Sequence, residues 1–442
     1  MRHPISWSAL ADASVGVWGL GVEGQASIRR LRSMGRDPVL VDDVPATASL
    51  DGLEVLATAD GGLEALRHCD VVVKSPGISR YRPDVAQLEQ AGVMVCGGLG
   101  LFMAEADPTR VACITGTKGK STTTALAVHL LRGLGVDARA GGNIGVAPWD
   151  PAGDPAPEYW IVETSSFQVP DLRNAPGVVA VTSLAPDHLD WHGTVEHYYA
   201  DKLSLCTKPG VTLALADDAD AELHRNVGLL GPHLRWVDAA AVERDAPWFA
   251  AFGLHGPHNA RNASVARAVL EGLGIPDASD VDALSEAAQG FDGLPSRCRS
   301  LGSVGTVEFV DDSLSTNVLP AQAALRSFAE RPVALLVGGH DRGVDYAPLG
   351  RTIAARTAPT LVVTMPDNGP RIGQAIRDRT GGQVDIRDAA DLDAAVAAAF
   401  AWAPPRAVVL LSPAAPSFGR FGDYTERAAA FAAAASRCGT LS

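Results

Sequence analysis

Short runs of Val, Ile and Leu alternate along the chain with longer stretches rich in Ala and Leu. The apolar runs have the length of buried strands and the longer stretches have the length of helices. This pattern predicts repeated βαβ units, with mostly parallel sheets covered on both faces. Two polar segments interrupt the rhythm: FMAEADPTR, which ends at Arg110, and GFDGLPSR, which begins at Gly290. The pattern therefore predicts an α/β protein with three separate sheets.

The polar segments divide the chain into three blocks, which we place at residues 1–106, 107–290 and 291–442. The first block begins with a strand at Val15 to Trp18, which a glycine-rich turn and a helix follow. The second contains a Gly/Ser/Thr-rich turn and several short strands. The third opens with the strand VEFVDDS, continues through VALLVGG, TLVVTM and AVVLLSP, and closes with an Ala-rich helix.

Composition and charge narrow the class of protein. The chain has 442 residues, of which 47% are hydrophobic, and its net charge is -14, which argues against a nucleic-acid or anionic-membrane surface. Small or nucleotide substrates are therefore the expected partners. The six cysteines are scattered and include no C-x-x-C pair, which indicates reduced thiols. The start lacks an apolar signal core, and the longest apolar run, Ala394 to Ala403, is too short to span a membrane. We expect a cytoplasmic protein.

The decapeptide ITGTKGKSTT, Ile114 to Thr123, carries the most specific chemistry. A phosphate chain needs backbone N–H groups uncovered by side chains, a nearby cation and a hydroxyl for a magnesium ion, all at a helix N-terminus. Gly116, Gly119, Lys120 and Ser121 supply these features. The usual P-loop pattern would place glycine at Ile114, so the spacing is a variant. The segment nevertheless predicts a triphosphate-binding loop.

A second glycine-rich turn follows the first strand, with Gly19, Gly21 and Gly24 in the G-x-G-x-x-G spacing and Asp42 near the end of the next strand. Alone, this pattern suggests a dinucleotide site and an NAD-dependent oxidoreductase. Hydride transfer would leave Lys120 unexplained, so we keep that function only as a remote alternative. A glycine-rich turn at a helix start suits the pyrophosphate of a UDP-sugar equally well.

Metal-type side chains follow the phosphate loop. Glu163 ends the strand of YWIVETSSFQ, and PDHLDWH, with His188, follows the next strand. Carboxyl ends of neighbouring parallel strands meet at one sheet edge, where α/β proteins bind ligands. Glu163 and His188 are therefore candidate magnesium ligands. Further side chains of this type in the same stretch are Asp187, Asp190, His192 and Lys202.

At this point the chain resembles the Mur ligase family over nearly its whole length, and within it the members that add glutamate to UDP-N-acetylmuramoyl-L-alanine. The segments that carry the resemblance are SPGI (Ser75 to Ile78), GTKGKSTT (Gly116 to Thr123), GNIG (Gly142 to Gly145), ETSSFQ (Glu163 to Gln168), PDHLDWH (Pro186 to His192), HNARN (His258 to Asn262), GLPSR (Gly293 to Arg297), DDSLSTN (Asp311 to Asn317), GGHDRGVD (Gly338 to Asp345) and LSPAAPSF (Leu411 to Phe418).

The resemblance implies a Rossmann-like UDP-substrate domain at 1–106, a central P-loop-type ATPase domain at 107–290, and a C-terminal Rossmann-like domain at 291–442 that binds the amino acid. It implies ATP and Mg²⁺ as cofactors, small-molecule substrates and a monomer. The chemistry implied is phosphorylation of the substrate carboxylate by ATP, followed by attack of the glutamate amine on the acyl phosphate. Closure of the third domain would exclude water from this intermediate. A nucleotide-binding subunit without ligase activity is a remote alternative.

The resemblance also implies roles for individual residues. The catalytic residues would be Lys120, Glu163, His188 and Lys202. The ATP-binding residues would be Gly116, Thr117, Lys118, Gly119, Lys120, Ser121, Thr122, Asn259, Asn262, Arg297 and Asp312. The UDP substrate would be bound by Gly19, Leu20, Gly21, Asp42, Ser75, Pro76, Gly77, Asn143 and His188. Glutamate would be bound by Thr316, Arg342, Ser417 and Tyr424. The magnesium ligands would be Ser121, Glu163, His188 and Lys202, the last as a carbamate.

Several positions depart from the family pattern, and most lie in the predicted amino-acid domain. Leu314 and Ser315 replace a usual lysine and alanine, Arg342 replaces a lysine, and Pro416 falls within a usual Ala-Cys-Ala run. Arginine is not a neutral replacement for lysine, because its planar fork binds carboxylates differently. These changes, and a first loop resembling that of the L-glutamate-adding branch, favour L-glutamate, whose product a separate epimerase would convert. Ligation of D-glutamate remains the alternative.

Overall fold

A computed structural model describes residues 5–153, 155–238, 247–254 and 256–442. The described residues form three six-stranded sheets. The chain divides into two compact units: residues 1–253 with 259–291, which hold the first two sheets, and residues 254–258 with 292–442, which hold the third. The predicted three-sheet α/β architecture is confirmed, whereas the three domain ranges stay a prediction.

The first sheet has the strand order β3-β4-β2-β1-β5-β6, and every pair is parallel except β3 with β4. Its strands are β1 (Val15–Trp18), β2 (Val39–Asp42), β3 (Ser49–Leu50), β4 (Leu53–Ala57), β5 (Val71–Lys74) and β6 (Met94–Gly97). The glycine-rich turn follows β1, a central strand, so it lies at the carboxyl edge of this sheet.

The second sheet has the order β12-β11-β10-β7-β9-β8 and is entirely parallel. Its strands are β7 (Val111–Thr115), β8 (Ala138–Gly142), β9 (Tyr159–Glu163), β10 (Val178–Val181), β11 (Leu213–Asp217) and β12 (Leu234–Val237). The strand β7 is apolar and buried along its length, as expected for a parallel strand covered on both faces. The phosphate loop follows this central strand, and Glu163 ends its neighbour β9.

The third sheet has the order β13-β14-β18-β15-β16-β17, with one antiparallel pair, β13 with β14. Its strands are β13 (Arg299–Val304), β14 (Val307–Asp311), β15 (Val333–Val337), β16 (Thr360–Thr364), β17 (Asp385–Asp388) and β18 (Val408–Leu411). The segments VEFVDDS, VALLVGG, TLVVTM and AVVLLSP supply β14, β15, β16 and β18, as the sequence predicts.

Helices connect most of the strands. In the first unit they are Val22–Ser33, Leu63–Arg67, Pro83–Gln90, Gly98–Met103, Lys120–Gly133, Leu189–His192, Val195–Leu203, Ala221–Arg225, Pro247–Ala251, Pro257–Gly272 and Val281–Ala287. In the second unit they are Val318–Ser327, Ala347–Ala354, Gly369–Thr380, Leu392–Trp402 and Tyr424–Cys438. Across the ranges that the structure describes, no helix combines the length and apolar character that a membrane crossing requires.

A buried ion pair joins the first two sheets within the first unit. Lys74, the last residue of β5, places Nζ 2.5 Å from Oδ2 of Asp171, and the two side chains are 0% and 3% exposed. The Lys74 ammonium also donates to the carbonyl of Ile78 at 2.9 Å. Removing one partner of a buried pair leaves an uncompensated charge in the interior, so loss of either side chain alone would be strongly destabilising.

Candidate active site

The phosphate loop depends on two glycines whose backbone conformation other residues rarely adopt. Gly116 has φ +138° and Gly119 has φ +89°. A Cβ atom on Gly116 would lie 2.2 Å from Oγ1 of Thr182, and one on Gly119 would lie 2.5 Å from Oδ1 of Asn262. Only glycine fits at these points, because both the conformation and the space exclude a side chain. The loop therefore leads into the helix Lys120–Gly133 with its backbone uncovered, as the sequence predicts.

Two lysines lie on this loop. Lys120 is half-buried, and its ammonium donates to the carbonyls of Gly116 at 2.9 Å and Thr117 at 3.1 Å. Lys118 is exposed and donates from Nζ to Oδ2 of Asp187 at 3.1 Å. Both cations therefore lie beside the helix N-terminus, where the backbone already favours negative charge.

The structure brings most of the predicted ATP-binding residues of the first unit together. The loop carries Gly116 to Thr122, and the helix Pro257–Gly272 carries Asn259 and Asn262, both buried. The close approach of Gly119 to Asn262 fixes this helix against the loop. Arg297 and Asp312, also predicted for ATP, belong to the second unit.

Glu163 has an unsatisfied acceptor. Its side chain is 1% exposed, and its Oε1 accepts a hydrogen bond from the Asn143 amide at 3.0 Å. Its Oε2 is buried, and no described group donates to it. An ionised carboxylate oxygen buried in this way is costly unless a donor or a cation satisfies it. Glu163 thus has the chemistry of a ligand for a hard divalent cation. The Asn143 amide thus orients this carboxylate, and its predicted role in holding the UDP substrate stays a prediction.

Lys202 is a buried amine close to the same loop. It is 2% exposed, and its Nζ donates to the carbonyl of Gly116 at 2.9 Å and lies 5.0 Å from the ring centre of Tyr198. Burial lowers the pKa of Lys202 well below its usual value, and Lys120 lowers it further, against the opposing effects of Asp187 and Glu163. The side chain is therefore a neutral amine more readily than an ordinary lysine.

His188 lies near this group, although not where the sequence placed it. We expected it at the end of a strand, but β10 ends at Val181, and His188 begins the short helix Leu189–His192 with φ +51°. Its ring contacts Phe167, with centroids 4.9 Å apart. Burial lowers the pKa of His188, and the nearby lysines lower it further, against the opposing effect of Asp187, so its imidazole loses a proton more readily than that of an ordinary histidine.

The predicted UDP-substrate residues of the first sheet line one cleft. The lining residues include Gly19, Leu20, Gly21, Asp42, Ser75, Pro76 and Gly77. Asp42 accepts a hydrogen bond from the Leu20 amide at 2.7 Å, and the Ser75 hydroxyl donates to the Gly19 carbonyl at 2.5 Å. These two side chains therefore hold the shape of the glycine-rich turn. Asn143 and His188, predicted for the same substrate, do not line this cleft.

The charged residue of this cleft that sequence reasoning missed is Glu23. Its carboxylate accepts a hydrogen bond from the Gln168 amide at 2.6 Å, and burial raises the pKa of Glu23 to about 7. Gln168 ends the segment ETSSFQ, so the contact joins the cleft to the turn after Glu163. The acidic residue within the glycine-rich turn was the available signal.

In the second unit, only part of the predicted glutamate site comes together. Ser417 lines a cleft with Gly338, Gly339, Arg420 and Arg427. Of the other predicted residues, Thr316, Arg342 and Tyr424 do not line it. Arg342 is exposed, and the half-buried Leu314 donates its backbone N–H to the Ser296 carbonyl at 3.0 Å.

Arg427 is a second residue that the sequence did not reveal. It is 1% exposed and donates to the carbonyls of Ser313 at 2.8 Å and Ala415 at 3.1 Å, which ties DDSLSTN to LSPAAPSF. Asp312, in the first of these segments, accepts hydrogen bonds from the Ser412 hydroxyl at 2.6 Å and the Cys298 amide at 3.2 Å. Burial raises the pKa of Asp312 to about 7. An arginine within an Ala-rich helix was the only signal for Arg427.

The two units thus define a class: a nucleotide-using α/β enzyme with a phosphate loop beside an unsatisfied carboxylate. Three family models match the chain in order: the Mur ligase MurD-like N-terminal domain at residues 13–97, the Mur ligase middle domain at 114–228, and the Mur ligase glutamate ligase domain at 296–415. The chain belongs to the Mur ligase family.

Full-length relatives agree with this placement. A protein of Xanthomonas euvesicatoria pv. vesicatoria is 40% identical, over 96% of this chain and 95% of the relative. A protein of a Micromonospora species is 38% identical, over 97% of each. Both are named UDP-N-acetylmuramoyl-L-alanine--L-glutamate ligase.

Solved structures show the same fold at low sequence identity. The UDP-N-acetylmuramate-alanine ligase of Thermotoga maritima gives a TM-score of 0.57 at 16% identity, covering 97% of this chain and 100% of that one. The folylpolyglutamate synthase of Mycobacterium tuberculosis gives 0.54 at 15% identity, covering 78% and 95%. The family, its three-domain architecture and its class of reaction, ATP-dependent amide-bond formation, are therefore as the sequence predicts.

Proposed function

We propose that this ligase joins L-glutamate to the alanine carboxylate of UDP-N-acetylmuramoyl-L-alanine, using ATP, in the synthesis of peptidoglycan precursors. The observation that carries the proposal is the phosphate loop, with Lys120 on it, beside the buried carboxylate of Glu163. The names of the full-length relatives supply the two substrates. The sequence of reactions is phosphorylation of the alanine carboxylate, then displacement of phosphate by the glutamate amine.

Lys120 and the loop backbone would act in the first step. The backbone N–H groups from Gly116 to Thr122 would bind the phosphates of ATP, and the ammonium of Lys120 would neutralise charge on the transferred phosphoryl group. Asn259 and Asn262 would hold the nucleoside from the helix packed on the loop. Arg297 and Asp312 are also proposed as ATP-binding residues.

The residues near the loop fit magnesium. Glu163 offers a buried oxygen without a donor, and Ser121 offers a hydroxyl in the first turn of the helix. His188 and Lys202 would complete the set. Mg²⁺ bound there would neutralise negative charge on the phosphates and the leaving group. Oxygen ligands are what this cation prefers, so an unmodified Lys202 does not suit it.

Carbamylation would convert Lys202 into a suitable ligand. In its neutral form the buried amine would attack carbon dioxide, forming an N–C bond and releasing one proton. The product carries a carboxylate-like group in place of an ammonium. A protonated Lys202 would repel both Mg²⁺ and the ammonium of Lys120. Carbamylation would remove this repulsion.

The substitution Lys202→Ala tests this assignment. We expect kcat to fall roughly 10–100-fold, because a ligand to the cation is lost. Acetate or formate added to the buffer is expected to restore part of the activity by occupying the vacated space. Steady-state kinetics with and without the carboxylate is the measurement. Lys208→Ala, which removes a half-buried lysine outside the site, is the matched control. Full activity of Lys202→Ala would show that the amine has no role.

The remaining substrate contacts follow the clefts. The UDP moiety is proposed to bind at Gly19, Leu20, Gly21, Asp42, Ser75, Pro76 and Gly77, with Asn143 and His188 nearer the reacting carboxylate. Glutamate is proposed to bind at Thr316, Arg342, Ser417 and Tyr424. The residues that line the cleft of the second unit differ in part from this set. Arg427 and Arg420, which line the cleft, are therefore additional candidates.

The L configuration is the finer part of the proposal. The relatives named L-glutamate ligases support it, as do Leu314, Ser315, Arg342 and Pro416 in place of the usual residues. A separate epimerase would then act on the product. D-glutamate is the alternative. We also propose a monomer and, because ATP and UDP-linked precursors are intracellular substrates, a cytoplasmic location.

The ligase function is tested by phosphate release from purified protein. Release is expected to require UDP-N-acetylmuramoyl-L-alanine, ATP, Mg²⁺ and glutamate together, and mass spectrometry of the product should show one added glutamate residue. Reactions that omit one component are the controls. Phosphate release that does not depend on glutamate would contradict the proposal, and complete inactivity of folded protein would favour a nucleotide-binding subunit.

A further inference from the structure

A chain of hydrogen bonds, buried at the Ser166 end and exposed at the Tyr81 end, lies next to the proposed magnesium site and has no role in the reaction described above. Nδ1 of His192 lies 2.7 Å from Oδ2 of Asp201, and Nε2 of His192 lies 3.0 Å from Oγ of Ser166. The hydroxyl of Tyr81 donates to Oδ1 of the same aspartate at 2.6 Å. We call these four residues the His192 relay. An ionised aspartate only accepts, so Nδ1 donates to Asp201 and Nε2 accepts from Ser166.

The Ser166, His192 and Asp201 part of the relay has the connectivity of a hydrolytic triad. Burial argues against that function. Ser166 is 2% exposed and His192 is 3% exposed, so a substrate carbonyl has no access to the serine oxygen. A nucleophilic serine must contact the reacting carbon of its substrate, and the buried Ser166 oxygen cannot do so. The relay therefore holds parts of the structure in place.

The parts that the relay joins are those that carry the proposed magnesium ligands. Ser166 lies in the turn that follows Glu163. Asp201 precedes Lys202 in the helix Val195–Leu203. His192 ends the short helix that His188 begins. One imidazole thus connects the three segments that would hold the cation.

Tyr81 extends the relay to the first sheet. It follows the segment Ser75 to Ile78, which lines the UDP-substrate cleft. Its ring packs on His197, with centroids 4.6 Å apart, and edge-on against Trp191 at 5.6 Å. These two ring contacts orient the hydroxyl toward Asp201, although Tyr81 is 47% exposed.

We propose that His192 is a positioning residue that sets the spacing of Glu163, His188 and Lys202, and that Tyr81 couples this spacing to the UDP-substrate cleft. The proposal rests on the proposed function, since it assigns the relay to that reaction's metal site. Groups that orient metal ligands affect metal affinity nearly as strongly as the ligands themselves.

The test removes one hydroxyl from each end of the relay, with Tyr81→Phe and Ser166→Ala. Each substitution keeps nearly the same shape, and circular dichroism checks that the fold is retained. Each is expected to lower kcat/KM for UDP-N-acetylmuramoyl-L-alanine about 10-fold. Tyr199→Phe, in the helix that carries Asp201, removes a tyrosine hydroxyl outside the relay and is expected to change kcat/KM less than about 2-fold.

The double variant distinguishes a relay from two local contacts. Tyr81 and Ser166 share no direct contact, so independent effects would multiply to about 100-fold. If the relay acts as one unit, the double variant should lose little more than either single variant. Multiplied losses, or single variants with wild-type kcat/KM, would overturn the proposal.

A second readout follows the metal directly. Mn²⁺ is titrated by electron paramagnetic resonance in the presence of a non-hydrolysable ATP analogue. Both relay variants are expected to weaken Mn²⁺ binding about 10-fold, as is Glu163→Gln. If Glu163→Gln weakens Mn²⁺ binding but the relay variants do not, the positioning role of the relay is contradicted. Unchanged Mn²⁺ binding in Glu163→Gln would contradict the metal site in the proposed function. The comparison of kcat/KM between the single and double variants would still test whether the relay acts as one unit.

Discussion

With UDP-N-acetylmuramoyl-L-alanine, ATP and Mg²⁺ supplied, L-glutamate is expected to give a kcat/KM roughly 10³-fold or more above that of D-glutamate. Inverting the α-carbon, with the amine still directed at the acyl phosphate, exchanges the directions of the α-carboxylate and the side chain. The wrong isomer would leave charged groups of the protein unpaired when the site closes, which costs far more than a lost surface contact. Steady-state kinetics with each enantiomer separately is the measurement.

Two further amino acids make the comparison sharper. L-Glutamine keeps the configuration but lacks the side-chain charge. A low kcat/KM with L-glutamine would show that the protein binds the side-chain carboxylate specifically. Comparison of D-glutamine with L-glutamine then isolates the effect of configuration. A clear preference for D-glutamate would overturn the stereochemical proposal and leave the ligase class intact.

The substitution Lys120→Ala is expected to lower the ligation rate roughly 10²–10³-fold, the effect of removing one preorganised charge-stabilising group. Lys120 is half-buried, and its ammonium donates to the loop carbonyls of Gly116 and Thr117. The variant should therefore fold, and its midpoint temperature of unfolding should stay close to that of the wild type. Single-turnover formation of ADP and coupled phosphate release measure the loss.

Lys120→Arg is the matched control for charge. Arginine keeps the positive charge but presents it as a planar fork at a different reach, so its rate should fall between those of the wild type and Lys120→Ala. Near-wild-type ligation by folded Lys120→Ala would mean that the loop does not bind ATP in the proposed way.

The sequence predicted those features that are encoded locally. The strands β7, β15 and β18 are short, mostly apolar runs, and the composition of such a run indicates that it is buried. The phosphate loop and the glycine-rich turn consist of consecutive residues whose glycines are needed for backbone conformation. The cleft around Gly19 and Ser75 was also predictable, because both of its motifs follow strand ends in a parallel sheet.

Contacts between distant segments were not predictable in this way. Arg427 binds the carbonyl of Ser313 on another element, and His192 connects Ser166 with Asp201. Nothing in the local pattern around these residues specifies such partners, since each bond depends on how separate elements pack. The same reason applies to the hydrogen bond from the Asn143 amide to Glu163, which the motif GNIG does not reveal.

The buried pair of Lys74 and Asp171 limits how the chain can recombine with those of its relatives. The lysine comes from the segment predicted as the first domain and the aspartate from the second, with 0% and 3% of their side chains exposed. A chimaera that joins one segment to a parent lacking the matching partner would bury a lone charge. The two segments are therefore not interchangeable modules, and viable hybrids must inherit residues 74 and 171 from the same parent or replace both together.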